Sequence, residues 1–220
     1  MIQAFLDTST SVASFVLLKD GGKVAELSEE CVRGASKLLP KITEQIQRAG
    51  IKVSEVEEWY VGKGPGSFTG LRVGISFVKG ICHASGAKYQ GVNSGYAYFE
   101  GLSAKLNELS EVTVLHDGRK KEVICNSFKK SSSYKWQEVG TEVVAVEDLL
   151  ARNFPTCVTV MKQDELPADL EVVCLGSLSP VHFLKSDLPL SSELEEMDAS
   201  CEPIYVRPPV FVKPVIRLKK

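Results

Sequence analysis

The sequence predicts a protein of the α/β class in two parts, and three observations support this. Over the first thirty residues, apolar runs separated by a turn signal are typical of consecutive strands. Between residues 36 and 106, helical periodicity alternates with short strand-like runs, an order that produces a mixed sheet with crossover helices. Near Asn107 the pattern changes to hairpin strands and polar turns. We therefore predict an N-terminal subdomain over 1–106 and a smaller one over 107–220.

The strands of the first part are predicted from short apolar runs bounded by turn residues. Residues 2–6, 12–18 and 24–27 form three such runs, with Asp20-Gly21-Gly22 as the turn before the third. Residues 56–61 and 88–92 form two more, each next to a helical segment.

The first predicted helix, residues 36–49, has a single apolar stripe. Pro40 falls in its first turn, where the missing N–H costs little, and Gly50 is a stop signal. The stripe consists of Leu38, Leu39, Ile42, Ile46 and Ala49.

The second predicted helix, residues 71–85, is apolar on two faces. A surface helix needs one apolar stripe, so two interpretations stay open: burial within its own domain, or packing of one side on a partner protein. Gly70 and Gly74, one turn apart, would let another helix approach closely. The stripes are Leu71, Ile75, Val78 and Cys82 on one side and Val73, Phe77, Ile81 and Ala84 on the other.

Composition narrows the class of protein. A net charge of −2 argues against binding of nucleic acid by this chain alone, because such affinity comes largely from cationic side chains. The basic residues Arg119, Lys120, Lys121, Lys129 and Lys130 fit either a phosphate contact or a solvated hairpin.

Targeting signals and metal-ligand spacings are not evident. The start of the chain has no basic region before its apolar run, and no apolar run is long enough to span a bilayer, so we expect a cytoplasmic protein. Six cysteines without a CxxC pair indicate free buried thiols, and three scattered histidines predict no metal site.

A glycine-rich segment follows the fourth strand and leads into the second helix. Backbone N–H groups before a helix can hold an anion, but the lysine position excludes a P-loop. Phosphate binding and a structural turn both remain open. The segment is Gly64, Pro65, Gly66, Ser67, Phe68, Thr69 and Gly70.

Asp7, Thr8 and Ser9, at the end of the first strand, are the candidate nucleotide-binding residues. A carboxylate with hydroxyls can hold Mg²⁺ and phosphate oxygens, whereas the alternative is a turn bonded to its own backbone. We identify no catalytic residues, since no nucleophile has a base in a neighbouring motif.

Taken together, these segments resemble the TsaB (YeaZ) family. LDTSTS at 6–11 is similar to the first strand and phosphate loop of the actin-like ATPase superfamily, and GKGPGSFTGLRVGISFVKGI at 62–81 resembles the TsaB signature. SKLLPKI at 36–42, DGRKKEV at 117–123 and PIYVRP at 203–208 match further family segments. Two departures are Gly34-Ala35, where relatives often have a histidine and a small hydroxyl residue, and Gly118, where the usual turn has alanine.

The resemblance implies an actin-like (ASKHA, RNase H-like) fold of two related subdomains, the second reduced. It also implies a non-catalytic scaffold that pairs with the larger paralogue TsaD, which transfers threonylcarbamoyl to the adenosine beside the anticodon of tRNA. The ATPase TsaE joins the pair, tRNA is reached only through the complex, and the chain forms a homodimer when TsaD is missing. ATP or ADP at the subunit junction is the only cofactor expected.

The same resemblance places the partner interface on the two helices. We expect an apolar face around Leu71, Ile75 and Val78 that is exposed in the free monomer. The expected interface residues are Leu38, Leu39, Ile42, Ile46, Leu71, Arg72, Ile75, Val78, Lys79 and Cys82. The alternative function is an ATP-dependent phosphotransferase or ATPase that uses the actin-like cleft. A third interpretation, a glycoprotease, rests only on an older label of the paralogous family.

Overall fold

The structure is a computed structural model that describes residues 1–30, 35–102, 105, 107–132, 136–176, 178–180 and 201–206, with backbone only for 35–37, 100 and 101. The sequence also favours a helix over 177–184, and this segment lies mostly outside the described residues, as do Gly34 and residues 207–220. The helices are α1 (Ala35–Arg48) and α2 (Phe68–Ser85). The strands are β1 (Ile2–Asp7), β2 (Val12–Lys19), β3 (Gly22–Glu30), β4 (Glu58–Gly62), β5 (Lys88–Val92), β6 (Glu111–Asp117), β7 (Glu122–Lys130), β8 (Trp136–Ala145), β9 (Cys157–Thr159) and β10 (Val172–Cys174).

The first sheet has the strand order β3-β2-β1-β4-β5. β1 pairs antiparallel with β2 and parallel with β4, and β5 continues the parallel side. The helices α1 and α2 make the crossovers to β4 and β5, as parallel neighbours require. The predicted mixed sheet with crossover helices is confirmed.

The second sheet repeats this plan, with the order β10-β9-β6-β7-β8. β6 takes the central place of β1, antiparallel to β7 and parallel to β9. Its crossovers contain short 3-10 turns, Val146–Asp148, Leu150–Arg152 and Gln163–Glu165, in place of long helices. The sequence shows no repeat, yet the two halves share one topology and the second is reduced, as predicted. The boundary near residue 106 stays a prediction.

Both halves contribute to a shared core. Phe5 and Tyr60 of the first sheet stack with their ring centroids 4.9 Å apart, and they belong to one buried cluster with Phe99, Phe128 and Trp136. The carboxylate of Glu138, on β8, also connects the two halves. It accepts hydrogen bonds from Asn93 of the first half and Asn126 of the second, at 2.8 and 2.9 Å. Apolar burial on this scale fixes the position of the halves relative to one another.

Neither α1 nor α2 combines the length and apolar character needed to cross a membrane, and the same is true of the shorter helical turns in the described part. All five cysteines that the structure describes are free thiols, four of them buried. Within these residues, no three histidine, cysteine or acidic side chains cluster as metal ligands.

Candidate functional site: a cleft and the outer face of α2

Asp7, at the end of β1, faces inward. Its side chain is buried, and its Oδ1 accepts hydrogen bonds from the Ser9 N–H at 2.8 Å and the Ser9 hydroxyl at 2.6 Å. Its Oδ2 lies next to the Ser94 hydroxyl without a hydrogen bond of regular geometry. Burial raises the pKa of Asp7, although the hydrogen bonds from Ser9 oppose this shift. The carboxyl is therefore part of a local turn.

Thr8 fastens the β1–β2 loop to α2. Its hydroxyl donates to the carbonyl of Gly70 at 2.8 Å, and a Cβ on either Gly70 or Gly74 would overlap atoms of Thr8. The absence of side chains at these two glycines therefore makes room for the β1–β2 loop. The expectation that they allow close approach of another helix is wrong. Of the three candidate nucleotide-binding residues, Ser9 lines the cleft described below, while Asp7 and Thr8 are buried in contacts within the chain.

The glycine-rich segment is also held by these neighbours. The Ser67 N–H donates to the Ser9 carbonyl at 2.6 Å, and Gly66, with φ 153°, leaves no room for a Cβ beside Ser9. The Ser67 hydroxyl caps α2 by accepting from the Gly70 N–H at 3.3 Å. Close packing against Ser9 is therefore a structural reason for glycine at position 66. Phosphate binding by the glycine-rich segment stays a prediction.

A cleft of about 720 Å³ opens between the two sheets. The first half contributes the β1–β2 loop and the start of α2, and the second half contributes the end of β6, the β6–β7 turn and the region after β9. Residues 204–206 form a third side of the cleft. Polar side chains along the cleft include Ser9, Thr10, Ser67, Thr69, Tyr98, His116, Asp117, Arg119, Lys162 and Glu165.

Tyr98 and His116 form a buried pair in the wall of this cleft. The Tyr98 hydroxyl and His116 Nδ1 are 3.2 Å apart, and His116 Nε2 has no hydrogen-bond partner in the described part of the chain. Burial lowers the pKa of His116 to about 3 and raises that of Tyr98 above its ordinary value, so both are neutral at pH 7. Neither residue belongs to a recognisable local motif, and the position of His116 next to Asp117 at the end of β6 is the one sequence signal for this pair.

The β6–β7 turn contributes Arg119 to the lining of the cleft and carries two further cations next to it. Arg119, Lys120 and Lys121 are all exposed, and all three have left-handed backbone conformations, with φ of 63°, 54° and 62°. Arg119 pairs with Asp117 at 2.9 Å, and the Asp117 carboxylate also accepts from the Arg119 N–H at 2.8 Å. The turn therefore presents three consecutive cations in a backbone region that non-glycine residues seldom adopt.

Residues 201–206, called the strap below, cross the start of the glycine-rich segment. Cys201 is buried against Gly91, and the Ile204 N–H donates to the Lys63 carbonyl at 2.6 Å. The Tyr205 hydroxyl accepts from Arg72 Nε at 2.8 Å. The prolines after residue 202 predict an extended and poorly covered tail. Within the strap, Glu202 and Tyr205 are indeed exposed, yet Ile204 and Tyr205 are held in place by these hydrogen bonds.

The prediction that Leu71, Ile75 and Val78 are exposed in the free monomer is wrong. Ile75 is only 5% exposed and the other two are fully buried, because this stripe packs on the first sheet. Among the other expected interface residues, Leu38, Ile42, Ile46 and Cys82 are also core residues, and Leu39 is half-buried. Arg72 is exposed and Lys79 half-exposed, so these two remain accessible.

The second stripe of α2 is the one that faces outward. Val73, Phe77 and Ile81 are half-buried, and Arg72, Ser76, Gly80 and His83 are exposed. At the start of the helix, Phe68 is 42% exposed and Tyr205 41%, with their ring centroids 4.9 Å apart. The Arg72 guanidinium lies 3.9 Å from the centre of the Phe68 ring. We call this surface the outer face of α2.

Comparison with known protein families gives a match over most of the chain. The family model described as TsaD, tRNA N6-adenosine threonylcarbamoyltransferase, matches residues 24–192. This range includes both helices, the glycine-rich segment and the β6–β7 turn.

Two curated relatives are bacterial proteins named tRNA threonylcarbamoyladenosine biosynthesis protein TsaB. The one from Escherichia coli K12 is 27% identical over 146 residues, which cover 66% of this chain and 62% of the relative. The one from Haemophilus influenzae is 29% identical over 147 residues, covering 63% and 61%. The chain thus spans about three fifths of the length of these relatives.

A solved structure, YeaZ from Pseudomonas aeruginosa, has the same fold. It superposes with a TM-score of 0.64 over 83% of this chain and 88% of its own, at 22% sequence identity. At this identity the likeness shows the fold alone, and it agrees with the predicted actin-like architecture of two sheets with one strand plan.

Proposed function

Since this chain belongs to the tRNA N6-adenosine threonylcarbamoyltransferase family as a TsaB/YeaZ-type member, we propose that it is a scaffold subunit in the formation of threonylcarbamoyladenosine in tRNA. In this role the chain pairs with the larger paralogue TsaD and performs no chemistry itself. TsaE joins the pair, and ATP or ADP binds at the junction of the subunits. Without TsaD the chain pairs with a second copy of itself.

The observation that carries the pairing proposal is the outer face of α2. Phe68, Tyr205 and Arg72 form an exposed cluster of two aromatic rings and a guanidinium, the residue types that contribute most to binding at protein interfaces. Behind the cluster, Val73, Phe77 and Ile81 offer half-buried apolar surface. A partner that covers this face removes apolar surface from water without any change in the core stripe.

The scaffold role is supported by what the polar groups of the β1–β2 loop already do. Asp7 and Ser9 are bonded to each other, and the Thr8 hydroxyl is bonded to Gly70. The Ser67 hydroxyl caps α2. Groups that would hold phosphate or Mg²⁺ in an active member of the fold are here used to fix the loops beside α2, and so to fix the outer face itself.

The cleft favours a second candidate function, an ATP-dependent phosphotransferase or ATPase. Its volume of about 720 Å³ is in the range of small-molecule sites, and it is lined by hydroxyls of the first half and by the cations Arg119 and Lys162 of the second. Calorimetric titration of the isolated chain with Mg-ATP separates the two functions. Micromolar binding with turnover supports the phosphotransferase, and no heat of binding supports the scaffold.

Reconstitution tests the scaffold proposal. The chain and its TsaD paralogue are co-expressed, separated by size exclusion, and assayed with TsaE and tRNA for threonylcarbamoyladenosine by mass spectrometry of nucleosides. We expect a stable complex and modified tRNA only when both chains are present. Full modification by the paralogue without this chain would contradict the proposal.

A further inference from the structure

The charged side chains of α2 are all basic. The helix holds Arg72, Lys79 and His83 and no acidic residue, although the whole chain has 28 acidic residues against 26 lysines and arginines. Lys79 and His83 follow Arg72 by seven and eleven positions, and at about 3.6 residues per turn the three side chains lie along one line of the helix. Arg72 and His83 are exposed and Lys79 is half-exposed. We call this line on the outer face of α2 the basic stripe.

The charge of the basic stripe is not neutralised by the part of the chain that the structure describes. Neither Arg72 nor Lys79 forms an ion pair with a described residue. Cations of other elements do form such pairs, as Arg48 does with Glu44 at 2.6 Å. The strap, which packs beside α2, adds one carboxylate, Glu202, and this group is exposed and likewise has no ion pair among the described residues. The stripe is therefore a surface of uncompensated positive charge.

Arg72 is held in an orientation that suits a carboxylate. Its Nε donates to the Tyr205 hydroxyl at 2.8 Å, and its guanidinium lies 3.9 Å from the centre of the Phe68 ring. Its terminal nitrogens make no hydrogen bond to a described residue. A guanidinium whose position is fixed and whose terminal N–H groups are free can bind both oxygens of a carboxylate.

Small side chains lie next to the basic stripe. Ser76, Gly80 and Ala84 are exposed and four positions apart, so they follow one another along the same face of the helix. A Cβ at Gly80 would meet nothing within 4 Å. A partner can therefore approach α2 closely here, and a large side chain at one of these positions would hold it away. Close approach excludes water, which strengthens the interactions of Arg72 and Lys79 with charges on the partner.

A second copy of the chain is a poor electrostatic match for this surface. In a symmetric pair the same patch is used by both subunits, so one basic stripe would lie near the other. Like charges that meet across an interface lower the affinity, whereas opposite charges raise the association rate and exclude wrong partners. A partner with carboxylates at the matching positions turns the same cations from a cost into an attraction.

We propose that the outer face of α2 binds an acidic surface of the TsaD paralogue, whose carboxylates pair with Arg72 and Lys79, and that the basic stripe thereby favours the paralogue over a second copy of this chain. This inference rests on the proposed function, which names the paralogue as the partner. It adds the chemistry of the partner surface and the reason why the heterodimer outcompetes the homodimer.

Three variants of the same two positions test the charge of the partner. K79R/H83K keeps the stripe basic, K79Q/H83Q makes it neutral at both positions, and K79E/H83E reverses it, while all three leave the cluster of Phe68, Arg72 and Tyr205 unchanged. K19E/K105E, at two exposed lysines outside α2 and the strap, is the control for general charge. Circular dichroism confirms folding of each variant. Biolayer interferometry with the immobilised paralogue measures association and dissociation, and sedimentation velocity measures pairing of the chain with itself, both at 0.05 and 0.5 M salt (about 14 and 4 Å of Debye length).

We expect K79R/H83K to bind the paralogue at least as tightly as the wild type, K79Q/H83Q about threefold more weakly and K79E/H83E at least about tenfold more weakly, chiefly through slower association. K19E/K105E should bind within about twofold of the wild type. Higher salt should weaken binding of the wild type to the paralogue and should not weaken its pairing with itself, because salt screens attraction in the first case and repulsion in the second.

Three results would overturn the inference. Equal losses in all three variants would show that the stripe is contacted without selection for charge, and unchanged binding of K79E/H83E would show that it is not contacted. Self-pairing tighter than binding to the paralogue at 0.05 M salt would contradict the preference. In each of these cases the wild type still binds the paralogue, so the scaffold role stands. A wild-type chain that does not bind the paralogue at either salt concentration would contradict the proposed function as well.

Discussion

Arg72 Nε donates a hydrogen bond to the Tyr205 hydroxyl at 2.8 Å across 133 positions of sequence. The same guanidinium lies over the Phe68 ring, so a residue of α2, the helix start and the strap form one cluster. This contact ties the strap to the outer face of α2.

Removal of the Tyr205 side chain should release the strap. Tyr205→Ala deletes the ring contact with Phe68 and the acceptor for Arg72, whereas Tyr205→Phe keeps the ring and loses a hydrogen bond of about 1 kcal/mol. The thiol of Cys201 reports release, since it is buried and burial raises its pKa to about 11. We expect alkylation of Cys201 to be much faster in Tyr205→Ala and little changed in Tyr205→Phe.

Peptide mass spectrometry after alkylation identifies which thiol has reacted. Cys125, in the core of the second sheet, is the internal control and should react at the same slow rate in all three proteins. Equal acceleration at both thiols would indicate global unfolding, and an unchanged rate at Cys201 would show that Tyr205 does not hold the strap.

Two glycines of α2 should respond oppositely to alanine. A Cβ at Gly74 would overlap the Thr8 side chain, so Gly74→Ala should lower the free energy of unfolding by about 1–3 kcal/mol. A Cβ at Gly80 meets nothing within 4 Å, so Gly80→Ala should raise it by about 0.5–1 kcal/mol through helix propensity. Urea unfolding measures both, and a Gly74→Ala protein as stable as the wild type would mean that Thr8 is not packed on α2.

His116 should make stability fall in acid. Its pKa is lowered from 6.5 to about 3 in the folded state, so the unfolded chain binds more protons between these values. The contribution of His116 is present above pH 6.5 and is lost as the pH falls toward 3. The His116→Asn variant keeps an acceptor near Tyr98 but does not titrate, and its free energy of unfolding should fall less over this window. Parallel pH curves for the two proteins would contradict the buried neutral state.

Asp7 should have the opposite effect. Burial raises its folded-state pKa above 3.8, so below pH 3.8 the carboxyl is protonated in both states, and as the pH rises the unfolded state loses its proton first. Stability from this group is therefore lost with rising pH. Asp7→Asn keeps an oxygen acceptor for Ser9, and its free energy of unfolding should decline less between pH 4 and 7 than that of the wild type. A steeper decline in Asp7→Asn would reverse the assigned sign.

Local patterns in the sequence were enough to predict most of the first sheet and both helices. The apolar runs before Asp20 and the stripe from Leu38 to Ile46 are periodic over short distances, and periodicity depends only on neighbouring residues. The apolar residues of 94–106 favour an α-helix, whereas the structure has a 3-10 helix over Ser94–Leu102, a difference that short apolar runs do not encode.

Which stripe of α2 is the less buried could not be predicted from the sequence, because two apolar stripes of similar length fit the sheet equally well. In the structure Leu71 and Ile75 are buried, while Phe77 of the other stripe is half-buried and still packs on Trp59 of β4, with ring centroids 5.9 Å apart. Contacts such as Tyr98 with His116 and Arg72 with Tyr205 join distant segments, and local patterns do not show which distant residues meet.

The central claim, pairing through the outer face of α2, is tested most directly by Ser76→Arg. Ser76 is exposed in the middle of this face, and Gly140→Arg on β8, where a Cβ meets nothing within 4 Å, is the matched control. Each variant is co-expressed with the TsaD paralogue and run on size exclusion, with circular dichroism to confirm folding. We predict that Gly140→Arg elutes with the paralogue and that folded Ser76→Arg elutes alone. Normal co-elution of folded Ser76→Arg would contradict the account.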